Sequence, residues 1–242
     1  MGKLKEKIIY EFTAVKSETS VVEIIFWWAV RICLIYALIR CIHTGDALLY
    51  FANTLACFAI SLIRLIMPRK NFFGRLNYRI QTIIILTELL GYFIGKYLNI
   101  YQYIPKYDLI LHFISGPTVL IIGYYLFKAV LNGKTCPASI MTLCCAGFSG
   151  AVAGLWEIME FFGDYFMGSN CQGYDWILSK DFIMFRILGY TKAGEAQYPV
   201  FDIVLDMLMA FIALGVAMIV MYIILRNHEK KDDILLKETV MQ

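Results

Sequence analysis

Charge is what this chain has least of. Asp, Glu, Lys and Arg make up 17% of its 242 residues, where an ordinary soluble domain carries about a quarter. Its 22 basic and 19 acidic residues leave a net charge of only +3, and no concentrated basic face of the kind nucleic acid requires is visible, so no nucleic-acid partner is expected. The seven cysteines include no Cys-x-x-Cys pair and no even-numbered set outside the apolar blocks, so neither a zinc ribbon nor a disulfide framework is supported. Cys33, Cys41, Cys57, Cys144 and Cys145 instead lie in or beside apolar blocks, where Cys acts as a small hydrophobe. Internal repeats, low-complexity tracts and a soluble domain are also missing.

What the chain has is apolar surface: 60% of residues are hydrophobic and the mean hydropathy is +0.66. The excess gathers into blocks of about 20 residues, the length that spans a bilayer as a helix. This predicts an all-α, polytopic integral membrane bundle, a single membrane domain over residues 1–242. Six spans are expected, at 22–42, 46–66, 79–98, 108–131, 138–163 and 202–225. Residues 1–20 read as a polar, basic tail, with Ser17 or Ser20 capping the first span. The first block is too long for a signal peptide and ends in Arg40-Cys41-Ile42-His43, so it reads as uncleaved.

Basic residues mark the inner face. Lys3, Lys5 and Lys7 precede the first span, Arg69, Lys70, Arg75 and Arg79 follow the second, and Arg226, Lys230 and Lys231 follow the last. By the positive-inside rule both termini are then cytoplasmic and the long 164–201 loop is outside. Within that loop Trp176–Leu188 mixes apolar residues with Lys180, Asp181 and Arg186, and fits either an amphipathic interfacial helix or an ordered loop. Ala146, Gly150 and Gly154, and also Gly91 and Gly95, recur every four residues and predict close helix packing.

Against this apolar background three segments carry matched polar residues. Glu157, Glu160 and Asp164 share one helix face; Asp108 with His112, and Asp202 with Asp206, are spaced one turn apart. With the orientation above, Asp108, Asp164 and Asp202 form an outer rim. His112, Glu160 and Asp206 lie about 6 Å deeper, and Glu157 about 10 Å below Asp164 as a floor. Carboxylates in a bilayer cost on the order of 2.5–3.5 kcal/mol each. Six with one His and no Lys or Arg on the same faces need a neutralising cation, shared protons along a pathway, or a protonated network locking the helices. Oxygen donors with one imidazole suit Mg²⁺, Mn²⁺ or Zn²⁺. The metal ligands would be His112, Glu160 and Asp206, with Asp108 and Asp202 behind them and Asp108 orienting the imidazole. Glu157 or Asp164 would be the general base. Ser115 is expected to face its own helix backbone.

Arg31 and Glu88 lie at similar depth, about nine residues in from the inner edge, and are expected to form a structural ion pair or else a gate. His43, Asp46 and His228 read as solvated.

Taken in order, Asp108-xxx-His112-xx-Ser115-Gly116, Glu157-xx-Glu160 and Asp202-xxx-Asp206-Met207 resemble the YjdF-like bacterial inner-membrane proteins. They are more distantly similar to VanZ-like proteins. The likeness covers roughly residues 80–225; Ile203, Val204 and Leu205 stand where related chains often carry a polar run, and the outer loop is enlarged. The resemblance implies a protein of the bacterial plasma membrane and, through the VanZ-like relatives, a link to cell-wall glycopeptide susceptibility. Together with the acidic pocket it points to metal-dependent hydrolysis or transfer on a membrane lipid or lipid-linked envelope substrate. The rival expectations are an ion or proton transporter using the same carboxylates, and a non-catalytic structural or partner-binding protein. Orientation is directly testable at Cys171. A membrane-impermeant maleimide should label it from outside intact spheroplasts; labelling only after the cytoplasmic face is opened would invert the topology.

Overall fold

Apolar blocks without access to water must satisfy their backbone groups internally, and here they do so as helices. The computed structural model describes residues 2–44, 71–104, 106–167 and 198–240, together with Leu55, Ala59, Met67 and Cys171. In chain order these form α1 (Gly2–Glu18), α2 (Val21–Thr44), a 3₁₀ turn (Phe72–Arg75), α3 (Arg79–Thr87) and a π-helix (Glu88–Tyr97). Then come α4 (Ile100–Tyr103), α5 (Tyr107–Leu131), α6 (Ala138–Met167) and α7 (Tyr198–Val240). Among the described residues there is no strand.

Among the described residues four stretches are long and apolar enough to cross a bilayer: Val21–Thr44, Tyr107–Leu131, Ala138–Phe166 and Asp202–Lys231. Their outward faces are apolar, with Leu143 and Ile219 more than 60% exposed, as helices solvated by lipid require. The expected span 46–66 and the stretch Trp176–Leu188 lie outside the described residues. The expected span 79–98 is helical throughout but changes winding at Glu88, where α3 passes into the π-helix. Its last turn closes with Leu98 N–H donating to Phe93 O, five residues back.

The described residues group into two compact units. The first takes in Met1–Ile100 and Tyr125–Lys134. Trp27, Val30, Leu34, Tyr78, Ile85 and Tyr92 form its core, flanked by Ala14 and Val15 of α1. The polar, basic stretch before the first span is therefore helical over Gly2–Glu18. Alternating apolar and charged residues hid it, because its contacts are with the start of α3. Glu18 accepts from Tyr78 N–H at 2.7 Å, Arg79 Nε donates to Glu18 O at 3.1 Å, and the Tyr78 hydroxyl donates to Glu11. Ser20 then starts α2 through a capping box: Glu23 N–H donates to Ser20 Oγ, and Ser20 N–H donates to Glu23 Oε2 at 2.8 Å. The other Glu23 oxygen accepts from Thr82 Oγ1, which accepts in turn from Trp27 Nε1, each at 2.9 Å.

Deeper in this unit lie Arg31 and Glu88, the two residues expected to pair. Arg31 Nη2 donates to Gln81 Oε1 at 3.2 Å, and the guanidinium carbon sits 5.1 Å from the centre of the Trp28 ring. Glu88 lies within the field of Arg31, yet neither of its carboxylate oxygens has a hydrogen-bond partner. Gln81 lies seven residues before Glu88 and so on the same helix face; its amide takes the guanidinium first, and the chain widens into the π-helix at Glu88.

The second unit takes in Tyr101–Tyr124 and Thr135–Gln242 and carries α5 to Tyr124, α6 and α7. Its register is fixed by a few close contacts. Glu229 of α7 accepts from Ala138 N–H at the start of α6 and is held by Arg226 Nη1 at 2.9 Å. This tie lies beyond the expected end at 225, where Glu229 of the extended α7 caps the exposed Ala138 N–H. Ser149 Oγ of α6 donates to Gly116 O of α5 at 2.9 Å. At Gly116 α5 meets α7 backbone to backbone, so that a Cβ there would lie 2.4 Å from Ala210 O. Gly123 abuts Phe148 and Cys145, and Gly150 faces Phe211. By contrast, a Cβ on Gly91 or Gly154 would meet nothing within 4 Å. Four-residue spacing thus named Gly150 correctly, misassigned Gly91 and Gly154, and overlooked Gly116 and Gly123, which stand outside any small-residue repeat.

Gly116→Ala is expected to lower the thermal midpoint of the detergent-solubilised protein, at a cost of about 1–3 kcal/mol, the usual cost of overpacking. Gly154→Ala should be neutral or stabilising by about 0.5–1 kcal/mol, since it gains helix propensity in open space. Equal losses in the two would show that the α5–α7 approach is not the tight point.

Candidate functional site

The Gly116–Ala210 contact decides what the next turn of each helix meets. One turn before Gly116 lies His112, and one turn before Ala210 lies Asp206. With no side chain separating the helices at that level, the imidazole and the carboxylate are drawn together. His112 Nε2 is 3.8 Å from Asp206 Oδ2 and 3.9 Å from Asp108 Oδ1. The opposite face of the ring belongs to α6, with His112 Nδ1 3.6 Å from Glu157 Oε1. Ser115, as expected, turns away and donates to His112 O at 2.8 Å.

Two overlapping groups of donors result. His112, Glu157, Glu160 and Asp206, all buried, each offer one atom within 4.8 Å of the others. Asp108, Asp202 and Asp206 do the same. Two donors on opposite sides of one cation stand about 4–5 Å apart, twice a metal–oxygen bond. The geometry thus suits one divalent cation per group. The structure brings together His112, Glu160 and Asp206, the three residues singled out as ligands. It also places Glu157 in the same group rather than as a separate floor a turn below. Asp108 and Asp206 face the same ring nitrogen, so Asp108 stands beside Asp206 at the imidazole instead of behind it. Asp164 belongs to neither group; its Oδ1 accepts from Cys171 N–H at 2.7 Å and ties down the start of the loop.

The carboxylates are poorly satisfied by the protein. Trp156 Nε1 donates to Glu160 Oε1 at 2.8 Å, fixing that side chain from the preceding turn. Among the described residues, both oxygens of Glu157, both of Asp206 and Asp202 Oδ2 are buried without a hydrogen-bond partner. Leaving a buried acceptor unmade costs about 1–3 kcal/mol, more for a charged group. So many in one place points to a missing positive ligand or to protons.

Sequence reasoning missed Tyr101. It lies in α4, packs edge-on against Tyr107 with ring centres 5.3 Å apart, and feels the charges of Asp108 and Glu160. Burial first, and then those carboxylates, hold its phenol above the ordinary range. It therefore stays protonated beside the cluster. A Tyr among apolar and aromatic neighbours in a short link carries no spacing signal that would have marked it.

Comparison with known proteins adds one finding. A family model described as "Predicted membrane protein (DUF2238)" matches residues 24–227. No curated protein and no solved structure matches the chain.

The crowding is itself testable. In cation-free detergent solution Asp206→Asn is expected to raise the thermal midpoint, equivalent to about 0.5–2 kcal/mol, because it removes one carboxylate from among four others. A fall would mean that the cluster acts as a protonated network holding the helices together.

Proposed function

The chain belongs to this family of predicted membrane proteins, and from that premise we propose that it is a multi-pass membrane protein whose acidic pocket holds a divalent cation for hydrolysis or transfer on a lipid or lipid-linked envelope substrate. The observation that carries this reading is the set of buried, unpartnered carboxylate oxygens converging with His112. His112, Glu160 and Asp206 are the ligands we assign, with Trp156 positioning Glu160. A cation there supplies Lewis-acid polarisation of a carbonyl or phosphoryl oxygen. Oxygen-rich donors with a single imidazole favour Mg²⁺, Mn²⁺ or Zn²⁺ over thiophilic metals.

Of the two carboxylates offered as general base, Glu157 is the better placed. Both its oxygens are free of hydrogen bonds and it stands beside His112 Nδ1. Asp164 is engaged with the Cys171 backbone and would act only after releasing it. Tyr101, kept protonated, lies within the field of Asp108 and Glu160. The YjdF-like resemblance agrees with the family. The more distant VanZ-like likeness supports an envelope substrate by analogy only. We place the pocket on the outer face of a bacterial plasma membrane, with both termini cytoplasmic, from the Lys and Arg distribution.

A second reading, ion or proton transport through the same carboxylates, draws on one observation: Glu88 is buried, with neither oxygen hydrogen-bonded. Proteoliposome flux abolished by Glu88→Gln, with no bound metal, would favour transport.

Purified protein should carry tightly bound divalent metal, and His112→Ala should lose it, with affinity down at least about 10-fold. Because the ligands must be deprotonated, affinity should also fall as pH drops through the carboxylate range. Metal-free protein that neither binds Mg²⁺, Mn²⁺ or Zn²⁺ in titration nor gains thermal stability from them would sink the proposal.

A further inference from the structure

Asp206 is the member that the two donor groups share. It is completely buried, and both of its oxygens lack hydrogen-bond partners. The other members divide on either side of it: His112, Glu157 and Glu160 in one group, Asp108 and Asp202 in the other. A carboxylate has two oxygens, each able to ligate, and one that bridges two cations holds them about 3.5–4 Å apart. From this geometry we infer that the pocket is a two-cation centre, in which Asp206 bridges a first site of His112, Glu157 and Glu160 and a second site of Asp108 and Asp202. The inference rests on the cation reading proposed above and adds a second ion to it.

Charge favours the pair. Five carboxylates surround one imidazole, and among the described residues Glu157, Asp202 and Asp206 make no ion pair with any Lys or Arg. One divalent cation would leave the ionised cluster at a net −3 and a second would bring it to −1, a far smaller burden in a medium of low dielectric. Asp202 supplies an independent sign. It is 8% exposed, its Oδ2 has no partner, and it lies in the group that the first cation does not use. A single-ion site would leave that buried oxygen without a role. Donor type separates the two positions. The second site is all oxygen and suits a hard ion, Mg²⁺ or Mn²⁺, whereas the first includes an imidazole and accepts Zn²⁺ as well.

The test uses the full-length protein in detergent, stripped with chelator and titrated with Mn²⁺, with bound metal counted by elemental analysis and its coupling read by electron paramagnetic resonance. Wild type should bind two Mn²⁺ per chain and show the spectrum of an exchange-coupled pair. Asp202→Asn and Asp108→Asn, on different helices, should each bind one and show an isolated-ion spectrum, with second-site affinity down by about 10–100-fold or more. The two variants guard against misfolding of either, checked by size-exclusion profile. One Mn²⁺ in wild type, unchanged in both variants, would overturn the second site while leaving the single-cation reading intact. Two uncoupled ions would overturn the Asp206 bridge. No bound Mn²⁺ at all would remove the inference together with the reading beneath it.

Discussion

Everything about the second unit follows from the cost of placing carboxylates where neither water nor a donor reaches them. In lipid, helices gain little from hiding apolar side chains from one another, since the tails are as apolar as leucine. What distinguishes one arrangement of helices from another is then close packing and the treatment of polar groups. Here packing draws α5 against α7 at Gly116, and one turn away the same approach forces His112 and Asp206 together. The site is a consequence of a missing side chain as much as of the charged ones.

The two units treat their polar residues differently, and the contrast bears on function. In the first, Glu23, Thr82 and Trp27 form a continuous chain of hydrogen bonds, and Glu18 and Glu11 are satisfied by the Tyr78–Arg79 turn. Such groups are fully explained by the fold that they stabilise. In the second, oxygens of Glu157, Asp202 and Asp206 converge without donors among the described residues. A network that existed only to lock helices would have its members bonded to one another, because a half-satisfied network is worse than an apolar core. The first unit has exceptions, among them Glu88, buried at the point where the helix changes to π winding. Short π segments recur at functional sites, which gives that residue a claim of its own.

The architecture was legible from hydropathy because bilayer thickness imposes a length that sequence displays directly, and α5 and α6 begin within a residue of where their apolar blocks do. Local spacing also worked: Asp108 with His112 and Glu157 with Glu160 are set by helical rise alone. What failed needed knowledge of partners. Helix α1 has no apolar block, and its evidence lies some 60 residues away in Tyr78 and Arg79. Depth alone, which suggested Glu88 for Arg31, did not mark Gln81, the acceptor that Arg31 Nη2 meets. Gly116 and Gly123 matter because of what sits opposite them, which a four-residue repeat does not register. Tyr101 reaches the site from a four-residue helix with no periodicity to betray it.

The apolar run Ile203-Val204-Leu205 between the two aspartates of α7 gains a meaning from the same geometry. In a helix, Asp202 and Asp206 stand one turn apart on a single face, while the residues between them turn to other faces. Leu205 is buried and Val204 is half-exposed on the apolar surface. Polar residues at those three positions would not enter the donor groups, which draw on Asp202 and Asp206 alone from this helix. The aliphatic side chains there therefore leave the donor groups whole and set only their surroundings. A drier wall strengthens every charge interaction beside it and raises the cost of leaving any carboxylate unmatched. In this chain the demand for positive charge in the pocket is greater for that wall, and the aspartates that flank it are the ones that a second cation would join.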